Sequence, residues 1–261
     1  MTTPLLKVTN ATVRFGGLTA VDHVSFEVRQ GELLGLIGPN GAGKTTALRS
    51  VTGVAHLSEG SVELDGERID HLPIARRIRK GLSLSQQLVK PLREMTLIEN
   101  VALAAGMQKT SSPLKALLNV DSSVERRLAQ SMLDMVGIGE LSEQKPGTQP
   151  LGILKRLEMA RALALKPKLF LLDEPLAGLN SKEAGALATT IADLNKSGIS
   201  IVLIEHNLGE VIRVCHRLVV LDNGRKIADG EPRTVMNDPT VRAAYLGGDV
   251  VADKGAEHVA S

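Results

Sequence analysis

GPNGAGKTT, Gly38 to Thr46, follows the unbroken apolar run ELLGLIG at 32–38 and leads straight into a helical pattern from Lys44 to Val51. It fits the phosphate-binding pattern G-x-x-x-x-G-K-[ST] in the context that pattern requires, after a buried strand and before a helix. Gly38, Gly41 and Gly43 let the backbone curl so that N–H groups, with those of Pro39–Ala42 where present, face an anion. The positive end of the helix dipole lies on the same side. Lys44 supplies a point charge for the β- and γ-phosphates, and Thr45, followed by Thr46, offers a hydroxyl oxygen to Mg²⁺. The expectation is a site for a nucleotide, ATP, with Mg²⁺.

Two further apolar runs resemble the first in pattern. KLFLLD at 168–173 and ISIVLIEH at 199–206 lack the alternation of a half-exposed strand, as expected for strands covered on both faces of a parallel sheet. Helical periodicity follows each, at 181–196 and 208–215, so the order is α/β. Ahead of these, short β-prone runs at 5–8, 12–15 and 24–28, then EGSVELDGERI around Asp65-Gly66, predict an antiparallel β layer near the N-terminus. Between 88 and 150 the strand signals stop. TLIENVALAAGM and SSVERRLAQSMLDMVGI read as amphipathic helices, and the stretch is expected to be an inserted helical subdomain. The resulting layout is one domain over 1–247, with core segments 1–87 and 151–235 and a disordered tail at 248–261.

The ends of the apolar runs carry chemistry. Asp173 and Glu174 close KLFLLDEP at the C-terminal end of a strand, where parallel α/β sheets bind ligands. Asp173 suits hydrated Mg²⁺. Glu174, one residue on and so aimed differently, suits polarisation of an attacking water. His206 ends the next run, where it could sense the γ-phosphate.

Composition excludes several alternatives. The 31 Lys and Arg nearly cancel 29 Asp and Glu, giving a net charge of +2 and no electrostatic case for nucleic acid. Three Phe, one Tyr and no Trp leave little to stack on single-stranded bases. One cysteine, Cys215, permits no internal disulfide and fits a reducing compartment. No apolar run approaches the ~20 residues of a spanning helix. The N-terminal MTTPLLKVTN has no signal-peptide pattern, so a cytosolic protein is expected.

Taken with their spacing, these motifs resemble the ATP-binding subunits of ABC transporters from about Leu5 to Gly247. The resemblance implies a P-loop NTPase core with a mostly parallel sheet, an N-terminal antiparallel β layer and an inserted helical subdomain. Phe15 in VRFGG then takes the place of the aromatic that stacks on adenine. Gln87 in SLSQQLVKP takes that of the glutamine near Mg²⁺ and the transport partner. Asp173 and Glu174 match the Walker B pair, AGLN at 177–180 the D-loop with Asn180 for the usual aspartate, and His206 the switch histidine.

One element departs from the family. QPLGI, Gln149 to Ile153, stands where LSGGQ is usual, and only Gly152 survives. In the family this loop contacts the γ-phosphate held by the opposite subunit. Pro150 offers neither hydroxyl nor N–H, so Gly152 and the free N–H groups at the start of the following helix are expected to make the contact.

FGGLTAVD, AGLN, IEHNL and LVVLDNGRKIADGEP…YLG together resemble the branched-chain amino-acid importer subgroup. That implies an ATP-hydrolysing motor at the cytoplasmic face of the inner membrane. Its implied partners are transmembrane permeases, a second ATPase subunit in a homodimer or heterodimer and, indirectly, a solute-binding protein. Two other readings stay open: a soluble ABC ATPase acting on ribosomes or DNA, and a regulatory subunit that binds ATP with little turnover.

Overall fold

The computed structural model describes residues 3–85, 91–109 and 123–254. They form two compact units, one of residues up to Leu72 together with those from Val202, the other Pro73–Ile201. These boundaries differ from the 87/88 and 150/151 divisions expected from the sequence.

In the first unit, β1 (Leu6–Phe15), β2 (Leu18–Val28), β4 (Glu59–Leu64) and β5 (Glu67–Arg68) make an antiparallel sheet in the order β2-β1-β4-β5. The apolar runs at 5–8 and 12–15 belong to one strand. Asn10, at φ 45°, interrupts the register between Val8 and Ala11, and its N–H goes to the Ser25 hydroxyl instead of the ladder. The β4–β5 turn is Asp65-Gly66, both at positive φ, as a two-residue hairpin requires.

The same unit holds β3 (Leu33–Ile37), β9 (Arg217–Asp222), β10 (Arg225–Gly230) and residues Val202–Ile204 of β8 (Ser200–Ile204), in the order β10-β9-β3-β8. β3 and β9 are parallel; β9 and β10 form an antiparallel hairpin through Asn223-Gly224, again at positive φ. Every residue of β3 and β8 is buried, which accounts for their unalternating sequences. Helices α1 (Lys44–Thr52), α7 (Leu208–Val214), α8 (Pro232–Asn237) and α9 (Pro239–Lys254) complete the unit. α9 is anchored by buried Val241 and continues past Gly247, where the sequence reading placed the start of a disordered tail. Gly247 and Gly248 each lower helix propensity by only about 1 kcal/mol, which does not stop a helix already begun.

In the second unit, β6 (Leu82–Ser85) pairs in parallel with β7 (Leu169–Asp173). Around them lie α2 (Ile74–Arg79), α3 (Leu97–Lys109), α4 (Ser123–Met135), α5 (Leu151–Leu163) and α6 (Ser181–Lys196). Leu169 to Leu172 are fully buried, so β7 delivers Asp173 and Glu174 from a fixed base. Among the described residues no helix is long and apolar enough to cross a membrane.

Candidate functional site

The loop 38–43 is built around glycines that other residues cannot replace. Gly38, Gly41 and Gly43 have φ of 147°, 80° and 94°. A Cβ on Gly38 would collide with the Leu221 carbonyl oxygen, and one on Gly43 with that of Ala20. The loop is therefore pressed between β2 and the β9–β10 hairpin, whose Gly224 donates its N–H to the Ala42 carbonyl at 3.2 Å. Pro39 is half-buried and Asn40 and Gly41 face solvent.

Lys44 opens α1 and is 5% exposed. Its ammonium donates to the Gly38 and Pro39 carbonyls at 2.8 and 2.9 Å, tying the helix start back to the loop entrance. Gly43 caps α1, and the helix carries no acidic residue in its first turn, so nothing opposes an anion at the dipole's positive end. Thr45 and Thr46 are half-buried in that first turn.

Phe15 and Leu18 pair across the tip of the β1–β2 hairpin, and both are exposed, Phe15 by 55%. An exposed aromatic there has no packing role. Ala20, which abuts Gly43, lies two residues along β2 from Leu18, about 7 Å at strand spacing. The Phe15 ring and the phosphate loop are thus within roughly a nucleotide's length. His206, two residues past the end of β8, is exposed, and its N–H goes to the buried Glu205 carboxylate at 3.1 Å. A residue the sequence reading passed over also belongs here: the Tyr245 hydroxyl on α9 faces the backbone N–H of Gly38, which favours its ionised form.

In the second unit, Asp173 and Glu174 are both half-buried at the end of β7. Glu174 stands at φ 52°, left-handed backbone that costs a residue with a side chain about 1 kcal/mol or more. Pro150 caps α5 with φ −65° and ψ 159°, a conformation proline adopts without strain. The Ile153 and Leu154 N–H groups turn back to the Pro150 carbonyl, while those of Leu151 and Gly152 have no acceptor among the described residues. A dipole end with open donors is what an anion needs. Asn180 caps α6 in a reciprocal pair with Glu183, each side chain accepting the other's N–H at 3.0 and 3.1 Å. The expected Gln87 lies outside the described residues.

Among the described residues no three His, Cys, Asp or Glu gather as a metal cage. Thr45 in the first unit and Asp173 in the second are each, taken singly, hard oxygen donors of the kind Mg²⁺ accepts beside its waters and phosphate ligands.

The family model for ABC transporters matches residues 21–177. The chain belongs to this family. It is a nucleotide-binding ATPase of the ABC transporter type, and the α/β core with an antiparallel N-terminal sheet agrees with that membership. A second model, for branched-chain amino acid ATP-binding cassette transporters, matches residues 225–251, from β10 into α9. The chain is 37% identical to the high-affinity branched-chain amino acid transport ATP-binding protein BraF of Pseudomonas aeruginosa, over 95% of this chain and 99% of that protein. It is also 37% identical to LivG of Escherichia coli K12, of the same description and coverage. The crystal structure of MJ1267, an ATP-binding cassette of an ABC transporter in its ADP conformation, superposes with a TM-score of 0.84 at 31% identity. That match covers 94% of this chain and all of that one.

Proposed function

We propose that this ABC ATPase is the motor subunit of an importer for branched-chain or related amino acids, bound peripherally to permease subunits at the cytoplasmic face of the membrane. The observation that carries the reading is the likeness to BraF and LivG along nearly the whole chain, joined by the match of the C-terminal segment 225–251.

In the proposed mechanism Phe15 stacks on adenine, and the N–H groups of residues 38–46 with Lys44 cradle the phosphates. Thr45, Asp173 and Gln87 would hold Mg²⁺, which would supply charge neutralisation to the phosphates. Glu174 accepts a hydrogen bond from the attacking water and aligns it with the γ-phosphate. His206 and Gln87 respond to whether that phosphate is present. ATP draws two ATPase subunits together, the 38–46 loop of one against the 149–153 loop of the other, where the Gly152 N–H serves as a donor. Hydrolysis separates them, and ATP acts by its higher affinity for the closed pair. The second subunit is either a copy of this chain or a related ATPase.

Reconstitution with the permeases tests the reading. The expected result is ATP-dependent uptake of leucine, isoleucine or valine that disappears with Glu174→Gln while ATP binding persists. No Glu174-dependent turnover, alone or with permeases, would leave a regulatory nucleotide binder. Co-purification with ribosomes instead of membranes would leave a soluble motor.

A further inference from the structure

Lys155 is a buried cation in the second turn of α5, 7% exposed. An ammonium there must be hydrogen-bonded, because removal from water is otherwise prohibitive. Its Nζ donates to the backbone carbonyl of Glu174 at 3.1 Å. The Ala177 N–H reaches the same oxygen at 3.3 Å and closes a turn over residues 174–177. The carbonyl that receives both donors belongs to the residue held at φ 52°.

Leu151 precedes Lys155 by four residues and so shares its helix face. A Cβ on Gly178 would come within 3.0 Å of Leu151 Cδ2, so that side chain lies against Gly178. One face of the first two turns of α5 therefore runs along the segment 174–178 and touches it at both ends. The same two turns begin with the open Leu151 and Gly152 N–H groups.

We propose that Lys155 is a positioning residue for ATP hydrolysis: its ammonium holds the left-handed backbone of Glu174, so that the Glu174 carboxylate is aimed by the helix whose N-terminus meets the second subunit's ATP. The inference rests on the roles given above to Glu174 and to the 149–153 loop. Lys155 acts on the reaction through Glu174. A shift of α5 on meeting a phosphate is carried to Glu174 through this hydrogen bond, which links formation of the paired state to readiness for hydrolysis.

The test compares two uncharged side chains of similar length in the full chain, only one of which can donate. Lys155→Met should lower kcat at least tenfold, with KM and the dissociation constant for ATP changed less than twofold. Lys155→Gln, whose amide can still reach the carbonyl, should stay within about threefold of the parent. Added to Glu174→Gln, Lys155→Met should cause no further fall in the single-turnover rate, since the group it positions is already gone. Equal rates for the Met and Gln chains, a loss of ATP affinity as large as the loss of kcat, or a full further loss on Glu174→Gln would each overturn the proposal. If the Met chain does not accumulate folded, Lys155→Ala takes its place with the same expected loss. A Glu174→Gln chain with parental turnover would remove the Glu174 reading and this inference with it. A dead Glu174→Gln chain beside an indifferent Lys155→Met chain would remove the inference alone.

Discussion

Tyr245 on the C-terminal helix α9 turns its hydroxyl towards the backbone N–H of Gly38, so that helix reaches the first residue of the phosphate loop. Gly38 is buried, and removing the only polar group that Tyr245 turns towards its N–H costs about 1 kcal/mol. Tyr245→Phe should therefore lower the melting temperature and weaken ATP binding several-fold, read by calorimetry and titration. Burial pushes the Tyr245 hydroxyl up to about 12, against the opposing pull of the Gly38 N–H. The unfolded chain ionises from about pH 10, so this group's contribution is complete below pH 10 and is lost as pH rises towards 12. Tyrosinate absorbance reports it alone, because the chain has one Tyr.

Phe15 is free of packing duties, so Phe15→Ala should leave thermal stability within about 0.5 kcal/mol of the parent. If its ring stacks on adenine, ATP affinity should fall by about 1–3 kcal/mol, while affinity for inorganic triphosphate, which has no base, stays the same. Equilibrium titration with both ligands separates the two terms.

Gly152 has room for a methyl group: a Cβ would meet Leu179 Cδ2 at 3.8 Å and Glu183 Oε1 at 3.9 Å, ordinary contacts. Gly152→Ala should fold with near-parental stability. Gly152→Asp should also fold but lose ATP-induced dimerisation, because its carboxylate stands where the partner's γ-phosphate would approach. Pro150→Ser should be neutral or enhance pairing. Size-exclusion chromatography with and without ATP in a Glu174→Gln background reads all three.

Asn180 does for α6 what an aspartate in its place would do, accepting the Glu183 N–H. Asn180→Asp should leave stability unchanged within about 0.5 kcal/mol, and Asn180→Ala should cost about 1 kcal/mol in a denaturant melt.

The parts legible in the sequence are those where one local pattern suffices. The apolar runs of β3, β7 and β8 announce burial on both faces, and Gly38–Thr46 announces its loop because chain geometry and chemistry demand the same residues. Asn223-Gly224 was an equally local hairpin signal that the reading passed over. The bulge at Asn10 was hidden, because it depends on a Ser25 hydroxyl fifteen positions away. Lys155 and Tyr245 were hidden for the same reason. Each acts on a backbone group far along the chain, and nothing in LKRLEMA or RAAYLG names a distant carbonyl or N–H.

The positive φ of Glu174 sets chemistry against durability. Glycine is the residue that backbone favours, so Glu174→Gly should melt above Glu174→Ala by about 1 kcal/mol, though neither could align a water. Selection for stability alone would steadily erode this position. On the role proposed for Glu174, the carboxylate keeps that strained backbone for the sake of turnover.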